Sequence, residues 1–430
     1  MLLPFSHFTT SGNRKQPRYY CSQQPSHQPR LTHLSHNKFA TEAHNKQPAS
    51  ATAAKGVGGA LYNVATFGAK PDGKTDSTKA FVDAWAAACG STGRPTIHVP
   101  QGRFFISNAI TFNGARCKNK GVNFNIKGTL VAPSNYRVLG NKGTWLAFQY
   151  VTGVSISGGV LDGQGDGLWA CKVAGKGGCP SGLTNIGFTS SKNIAIKGLT
   201  SLNSQLYHIV FVGCQNVKVQ GTKVSASGSS PNTDGIHVQS STGVTIRSTT
   251  IGTGDDCISI GAGTTNMWME NIKCGPGHGI SIGSLGKEMN EPGVQNITVK
   301  TATFTGTQNG VRVKSWGRPS NGFVKDVLFQ HITMVNARNP IIIDQNYCPG
   351  NKGCPGKVSG VKIDSITYQD IHGSSASPVA IHFDCSAKNH CTGLRLENIK
   401  LTYNNNKPAS SMCAFAGGSS YGLVQPKGCL

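Results

Sequence analysis

From about residue 150 onward the sequence repeats itself loosely, and this repeat limits the possible folds more than any other feature. Segments of similar alternating pattern recur every 23 to 40 residues or so. They begin near Val154, Ile194, Val217, Val244, Met267, Ile297, Val327, Val361 and Leu394. Each unit carries β-branched residues with Gly or Asn turns, whereas helical repeats need longer amphipathic segments rich in Leu and Ala. The pattern therefore predicts an all-β solenoid, a parallel β-helix whose coils stack about 4.8 Å apart.

The part of the chain before the repeats predicts two further regions. Residues 1–60 contain much His, Gln, Ser and Pro, one acid (Glu42) and no sustained apolar stretch, so we expect a disordered basic segment. Residues 61–430 are expected to form a single β-helix domain. Residues 77–89 predict a short helix that caps the N-terminal end of the solenoid. Its apolar stripe at helical spacing consists of Phe81, Ala84, Trp85 and Ala88.

The charge balance narrows the class of partner. With 41 Lys and Arg against 18 Asp and Glu, the formal net charge is +23, which attracts polyanions. The basic residues are scattered along polar, Gly-rich segments without runs, which is not typical of nucleic-acid binders, so no nucleic-acid partner is expected. No stretch is long and apolar enough for a membrane-spanning helix. Among polyanions, an acidic polysaccharide is therefore a partner that fits this charge.

The 14 Cys are many for a cytosolic enzyme and indicate disulfides formed in an oxidising compartment. Twelve of them form close or plausible pairs: Cys89/Cys117, Cys171/Cys179, Cys257/Cys274, Cys348/Cys354, Cys385/Cys391 and Cys413/Cys429. The alternative, a zinc site, is disfavoured because the closely spaced Cys doublets of such sites are absent. Cys21 and Cys214 are left over, and Cys214 is expected to be a buried free thiol.

The beginning of the sequence does not fit a secreted protein. The apolar stretch in residues 1–8 is too short for a secretory signal and is broken by Pro4 and His7. Three explanations stay open: the inferred compartment is wrong, an organelle-type leader is present, or this N-terminus is not the natural one. We favour the last and expect a secreted protein.

Three carboxylates and one imidazole are spaced about one coil apart. Asp234 lies 21 residues before Asp255, and Asp255 and Asp256 lie about one further coil before His278. Equivalent positions of successive coils become neighbours in a β-helix, so we expect these side chains to collect on one face. Three adjacent carboxylates repel one another, so keeping all of them ionised costs free energy and one should hold a proton. A carboxylic acid beside a carboxylate that activates water is the arrangement of a glycosidase.

One coil further on, two cations join the same face. Arg312 and Lys314 share a strand parity and point outward together, while Val311 and Val313 point inward. Asn and Asp also stack in turn ladders of β-helices for structural reasons, and this is the alternative interpretation of any single Asp here. Adjacent acids followed by a His and a pair of cations are costly unless they are used, so the whole cluster favours a catalytic site.

Four motifs, in this order, resemble the polygalacturonases, family 28 of the glycoside hydrolases. They are Asn232-Thr233-Asp234-Gly235, Gly254-Asp255-Asp256-Cys257, Gly277-His278-Gly279 and Arg312-Val313-Lys314. The resemblance extends from about Tyr62 to Cys429 and leaves residues 1–60 outside. It implies a right-handed parallel β-helix whose cleft hydrolyses the α-1,4 bonds of polygalacturonate with inversion. It implies no metal and no other cofactor.

The resemblance also implies catalytic roles. Asp255 matches the general acid, Asp234 and Asp256 match the pair that activates water, and His278 matches the residue that tunes the acid. Carboxylates on adjacent coils would lie about 5 Å apart, a spacing that the general rule assigns to retaining enzymes. The family inverts, and we follow the family because two Asp on different coils can hold the water between them.

Four further residues match substrate-binding positions of the family. Arg312 and Lys314 match the cations that hold galacturonate carboxylates, Tyr347 matches a tyrosine that positions substrate, and Asn232 matches a residue that lines the same floor. The expected partner is pectin, the expected location is the cell wall, and the expected state is a monomer. The extended match resembles the pollen-type exo-acting branch, so exo action is favoured over endo action.

Other interpretations remain open at this point. A hydrolase of another acidic pectin, such as rhamnogalacturonan, would not be expected to keep the full His, Arg and Lys set. A pectate lyase would need a calcium cluster and an Arg base. A wall-binding protein without catalysis is disfavoured because every catalytic position is intact. His208 is favoured as a structural histidine over a cleft residue, and Trp316 is equally open to packing and to stacking on a sugar.

Overall fold

A computed structural model describes residues 54–56, 59–175, 177–404 and 406–430. The predicted disordered segment, residues 1–60, lies almost entirely outside this part of the chain. Within it, Ala54–Gly56 and the first residues of Gly59–Asn63 form β-strands that pair antiparallel. Described β-structure therefore begins before the predicted boundary at residue 61.

The regular secondary structure of the described residues is mostly β-strand, with two α-helices and two short 3-10 helices. The helices are α1 (Thr78–Gly90) and α2 (Asp166–Val173), with 3-10 turns at Val64–Phe67 and Pro349–Asn351. The strands, in chain order, are β1 Ala54–Gly56, β2 Gly59–Asn63, β3 Asp72–Asp76, β4 Thr96–Val99, β5 Arg103–Phe105, β6 Ile110–Asn113, β7 Asn123–Ile126, β8 Thr129–Val131, β9 Thr144–Gln149, β10 Ser155–Ser157, β11 Val160–Asp162, β12 Thr184–Thr189, β13 Lys192–Lys197, β14 Thr200–Leu202, β15 Ile209–Val212, β16 Gln215–Gln220, β17 Lys223–Ser225, β18 Ile236–Gln239, β19 Thr242–Gly252, β20 Ile258–Ile260, β21 Thr265–Cys274, β22 Ile280–Leu285, β23 Val294–Thr305, β24 Asn309–Trp316, β25 Phe323–Ala337, β26 Asn339–Tyr347, β27 Lys362–Ser375, β28 Val379–Asp384, β29 Cys391–Tyr403, β30 Lys407–Pro408, β31 Ser410–Ala414 and β32 Ala416–Gln425.

The strands stack in parallel, one coil upon the next, as predicted. Eleven of them form one sheet in the order β6-β9-β12-β15-β18-β20-β22-β24-β26-β28-β31, which we call the cleft sheet. The other 21 form a larger sheet. In its early coils each coil contributes two short strands, such as β16 and β17, and both of these pair with the single long strand β19 of the next coil. The predicted right-handed parallel β-helix is confirmed.

Corners of the coil are built by residues in the left-handed conformation, many of them Asn. Asn193, Asn216, Asn266 and Asn296 all have positive φ, a conformation that Asn adopts more readily than most residues. The amide of Asn216 donates to Oδ1 of Asn193 at 2.7 Å, and Asn296 donates to Asn266 in the same way at 2.7 Å. These Asn ladders lie outside the acid cluster and have a structural role.

Inside the coil, equivalent residues form apolar columns. Ile236, Ile258, Ile280, Val311, Ile341 and Ile381 pair in register on successive strands of the cleft sheet, and all are fully buried. Another column stacks aromatic rings, with Phe148 over Phe188 at 4.8 Å and Phe188 over Phe211 at 5.3 Å. The apolar columns fix the register, because a slip by one residue would turn each column outward.

Helix α1 covers the N-terminal end of the solenoid, one residue further along than predicted. Its buried residues include Phe81, Ala84 and Trp85. The centroid of the Trp85 ring lies 5.3 Å from that of Phe112 and 6.0 Å from that of Phe124. The helix thereby closes the apolar interior that the first coils would expose. Helix α2 was not predicted, because the Gly-rich residues 162–167 that lead into it are typical of a turn.

The covalent cross-links follow the predicted pairs. All six disulfides are formed, with sequence separations of 6 to 28 residues. Among the described cysteines Cys214 is free, and burial raises the pKa of its thiol to about 11, which keeps it unreactive. Within the described residues, no helix has both the length and the apolar character that crossing a membrane requires.

Candidate active site

The predicted cluster lies on the outer side of the cleft sheet: the acids and the imidazole come just before β18, β20 and β22, and the two cations lie within β24. The backbone N–H of Gly235 donates to the carbonyl of Asp256 at 2.9 Å, so Asp234 lies directly beside Asp256 on the next coil. The N–H of His278 donates to the carbonyl of Asp255 at 2.8 Å. The structure thus brings together the side chains whose sequence spacing matched one coil.

Asp256 is the most deeply held of the three acids. Its Oδ1 accepts from Nη2 of Arg312 at 2.8 Å and from the Ser281 hydroxyl at 2.8 Å. Its Oδ2 accepts from Nζ of Lys314 at 2.7 Å. Burial by itself raises the pKa of Asp256, but the charges of Lys314 and Arg312 outweigh burial and lower it to about 2. Asp256 is therefore ionised at any working pH.

Asp255 points toward solvent beside His278. Its Oδ1 accepts from Nδ1 of His278 at 3.0 Å and from the backbone N–H of Asp256 at 2.8 Å. Its Oδ2 accepts from the Asn232 amide at 3.4 Å. The Asp255 side chain is 18% exposed and that of His278 is 36% exposed, so this pair is the most accessible part of the cluster.

Asp234 is a buried acid whose pKa is raised in this site. It is 7% exposed. Burial, followed by the negative charges of Asp255 and Asp256, raises its pKa well above the ordinary range. The raised pKa of Asp234 is in the direction that the expected retained proton requires, while Asp256 stays ionised.

The two cations, Arg312 and Lys314, already have an acidic partner. Both point outward, as their strand parity predicts, but both are nearly buried and already paired with Asp256. Their pKa values rise because the attraction of Asp256 outweighs the effect of burial. Lys314 keeps two further ammonium hydrogens, and Arg312 keeps further N–H groups, so each can still donate to an anion.

Tyr347 lies over this cation pair. Its ring centroid is 5.2 Å from Nζ of Lys314 and 6.0 Å from Cζ of Arg312, which is within the range of cation–π attraction. Trp316 packs edge-on against Tyr347, with ring centroids 5.3 Å apart. The structure therefore places Trp316 as a packing partner of Tyr347.

Sequence reasoning missed three polar residues of this floor. Ser281 connects Asp256 with Arg312, since its hydroxyl also accepts from Nε of Arg312 at 2.9 Å. Ser259 and His237 occupy the corresponding positions of the two preceding strands. Their positions in the sequence could have identified them, because each lies three residues after Asp234, Asp256 or His278. His208 is fully buried and hydrogen-bonded to Ser201 at 2.9 Å, which supports the structural role favoured above.

Among the described residues, one group of three or more His, Cys, Asp or Glu side chains brings its donor atoms together. Asp255, Asp256 and His278 place one donor atom each within 4.8 Å of one another. Both oxygens of Asp256 already accept from cations, and Oδ1 of Asp255 already accepts two N–H groups. A metal ion would have to displace Lys314 and Arg312, so this donor set does not suit one.

A parallel β-helix that holds carboxyl groups in contrasting environments beside cations has the arrangement of an acid/base glycosidase. Residues 89–419 match the family described as "Glycosyl hydrolases family 28". The chain belongs to this family.

Named relatives agree with this assignment. The chain is 62% identical to a polygalacturonase of Prunus persica over 369 residues, which cover 86% of this chain and 93% of that protein. It is 41% identical to an exopolygalacturonase of Platanus acerifolia over 359 residues, 83% of this chain and 94% of that protein. It is also 41% identical to a polygalacturonase of Gossypium barbadense over 368 residues, 85% of this chain and 89% of that protein.

Solved structures share the fold. An endo-xylogalacturonan hydrolase of Aspergillus tubingensis superposes with a TM-score of 0.74 at 23% identity, covering 85% of this chain and 99% of that one. A polygalacturonase of Erwinia carotovora superposes with a TM-score of 0.66 at 22% identity, covering 88% and 98%.

Proposed function

We propose that this glycosidase hydrolyses the α-1,4-galacturonosidic bonds of polygalacturonate in pectin. The observation that carries the proposal is the contrast among three neighbouring carboxyl groups. The pKa of Asp256 is lowered, the pKa of Asp234 is raised, and Asp255 is accessible beside His278. The adjacent cations, Arg312 and Lys314, give the same site an attraction for a sugar carboxylate. The names of the relatives support the same substrate class.

In the proposed reaction, Asp255 is the general acid, because it is the carboxyl that a leaving oxygen can reach. It gives its proton to the glycosidic oxygen while the bond to the anomeric carbon breaks. A water held by Asp234 and Asp256 attacks the anomeric carbon, and its proton passes to Asp234, which must be ionised at this step. His278, bonded to Oδ1 of Asp255, keeps the acid oriented.

Four residues would bind the substrate. Arg312 and Lys314 would hold a galacturonate carboxylate through the N–H groups that Asp256 leaves free, and Tyr347 would position the ring that lies over them. Asn232, whose amide reaches Asp255, would line the floor of the cleft. We propose inversion of the anomeric centre. Proton NMR of the first product tests this, and a retained α-anomer would overturn it.

The direct experiment is the release of reducing ends from polygalacturonate in a chelator. Wild-type protein is expected to be active, and the Asp255→Asn variant is expected to lose about 10²-fold or more of that activity. Asp326→Asn is a matched control, because Asp326 is exposed at a corner with positive φ where Asn is equally tolerated. Calcium-dependent release of unsaturated, ultraviolet-absorbing products would instead identify a lyase. Pectin binding without turnover would identify a wall-binding protein.

Exo action is the finer part of the proposal. Its support is the resemblance to the pollen-type branch and the 41% identity to an exopolygalacturonase. An equal identity to a polygalacturonase of unspecified mode limits that support. Chromatography of early products is the test: monogalacturonate from the first time points fits exo action, and a spread of oligomers means endo action.

Further proposals concern the protein as a whole. Six disulfides and plant polygalacturonase relatives support an extracellular protein, and we propose the cell wall as its location. We also propose that residues 61–430 form one β-helix domain that acts as a monomer. Analytical ultracentrifugation of protein made in an oxidising compartment tests the oligomeric state, and a stable dimer would contradict it.

A further inference from the structure

The larger sheet carries the one Asn-x-Ser/Thr sequon of the whole sequence. It consists of Asn296, Ile297 and Thr298, which all lie in β23. Asn296 is exposed, Ile297 is fully buried and Thr298 is half-buried. Such a sequon is the acceptor of N-linked glycans in secreted proteins. Because so short a motif also arises by chance, its surroundings decide whether it is a modification site.

Asn296 lies at an exposed corner of the coil, away from the acids. The acids and His278 come just before strands of the cleft sheet, whereas Asn296 lies beyond the loop that follows the other end of β22. The strand register places Asn296 between Asn266 of the preceding coil and Asp326 of the next coil, and both of these are also exposed. A glycan on Asn296 would therefore extend into solvent from the larger sheet and leave the cleft open.

The hydrogen bond that Asn296 makes in its ladder is compatible with this modification. Its Nδ2 donates to Oδ1 of Asn266 at 2.7 Å. A side-chain amide has two N–H donors, and an N-linked sugar replaces one of them. The second N–H can keep the bond to the preceding coil, so the corner does not have to rearrange when the sugar is attached.

An exposed tryptophan lies next to the sequon. All five tryptophans of the chain are within the described residues, and Trp268, at 36% exposure, is the most exposed of them. It pairs in register with Thr298 of the next coil. Trp268 and Asn296 are thus two positions apart along neighbouring strands, which corresponds to about 8 Å between their Cα atoms. The first sugar on Asn296 can reach the indole ring over this distance.

A polar chain on the same strands holds the Trp268 ring. Its Nε1 donates to Oε2 of Glu270 at 3.2 Å, and the same oxygen is paired with Nε of Arg247 at 3.2 Å. The polar edge of the indole is therefore used within the protein, and the exposed remainder is an apolar ring. A sugar ring also has an apolar face of C–H groups, and packing the two together removes apolar surface from water.

We propose that Asn296 carries an N-linked glycan whose first sugar, N-acetylglucosamine, packs over Trp268. The donor is a lipid-linked diphosphate oligosaccharide of the secretory pathway, and an oligosaccharyltransferase catalyses the step. Nδ2 of Asn296 bonds to the anomeric carbon and loses one proton, while the bond from that carbon to the diphosphate breaks. The inference goes beyond pectin hydrolysis. It rests on passage through an oxidising compartment, which the six disulfides support.

The occupancy of the site is tested on the full chain, secreted behind an added signal peptide by a eukaryotic host that makes high-mannose glycans. Peptide mapping by mass spectrometry should find a glycan on Asn296. Thr298→Val should abolish it, because the sequon hydroxyl is lost, while Thr298→Ser should keep it. Both variants retain Asn296 and its ladder bond. Secreted wild-type protein without a glycan on Asn296, or a glycan that persists in Thr298→Val, would overturn the proposal.

Tryptophan fluorescence tests the contact with Trp268. Endoglycosidase H leaves the first sugar in place and should not move the emission maximum. Peptide N-glycanase removes that sugar too, and should shift the emission to longer wavelength and increase its quenching by acrylamide. Thr298→Val should give the same spectrum as the fully deglycosylated protein. In the Trp268→Phe variant neither enzyme should change the emission. A shift that endoglycosidase H already produces, or no shift with either enzyme, would refute the packing.

Hydrolysis of polygalacturonate separates this inference from the proposed function. Thr298→Val should match wild type in kcat/KM, because the glycan lies away from the cleft. A folded Thr298→Val variant with a large loss of activity would contradict that placement. Active wild-type enzyme without a glycan on Asn296 would reject this inference alone. Glycosylated wild-type protein with a covered Trp268 and no turnover would reject only the proposed function.

Discussion

Replacing Asp256 by Asn removes the carboxylate that both buried cations contact, and the structure sets the size of the effect. The pKa of Asp256 is about 2 against an ordinary 3.8, a difference that corresponds to about 2 kcal/mol of stability. Removing one member of a buried ion pair typically costs about 3 to 5 kcal/mol, because the other charge stays buried without its partner. We therefore expect Asp256→Asn to lower the free energy of unfolding by about 2 to 5 kcal/mol near neutral pH.

The loss of stability in Asp256→Asn should depend on pH. A carboxyl whose pKa is lowered in the folded state contributes stability above its unfolded pKa and loses it as pH falls through the folded value. The deficit of Asp256→Asn should thus be full above about pH 4 and should shrink as pH approaches 2.

Urea unfolding with the disulfides intact, followed by circular dichroism, measures the difference. Asp326→Asn removes an equal charge from an exposed corner and is expected to stay within about 0.5 kcal/mol of wild type. The reasoning would be refuted if Asp256→Asn matched this control, or if its deficit persisted undiminished near pH 2.

Three further predictions follow from the site and the cross-links. Asp255→Asn should lower kcat by about 10²-fold or more with little change in KM, as expected for a general acid, and near-normal turnover would remove Asp255 from that role. Lys314→Ala should raise KM for polygalacturonate and flatten its dependence on salt; an unchanged KM at low salt would contradict a carboxylate-binding role. Replacing Cys257 and Cys274 together by Ala should lower the free energy of unfolding by about 2 to 4 kcal/mol in urea titrations, and no loss would show that this cross-link is dispensable.

The placement of the acid cluster could be predicted because the fold converts sequence spacing into spatial proximity. Once the repeat indicates a β-helix, residues one coil apart must lie side by side, which is how Asp234, Asp256 and His278 come together. The disulfides could be predicted in the same way from short separations. Strand parity correctly gave the outward direction of Arg312 and Lys314.

The chemical state of each side chain could not be predicted from spacing. That Arg312 and Lys314 are paired with Asp256, and that the pKa of Asp234 is raised, depends on burial and rotamers set by neighbouring coils. Ser259 and Ser281 look like ordinary polar residues of a strand until the register aligns them with the acids. Helix α2 escaped prediction because it is short and begins in a Gly-rich segment.

The measurement that tests the central claim most directly is a chromatographic time course of polygalacturonate cleavage in a chelator, with folded wild-type protein and Asp255→Asn side by side. The account predicts saturated galacturonate products from wild type, and formation of the same products by the variant at a rate lower by about 10²-fold or more. Unsaturated products, or equal activity in both proteins, would contradict it.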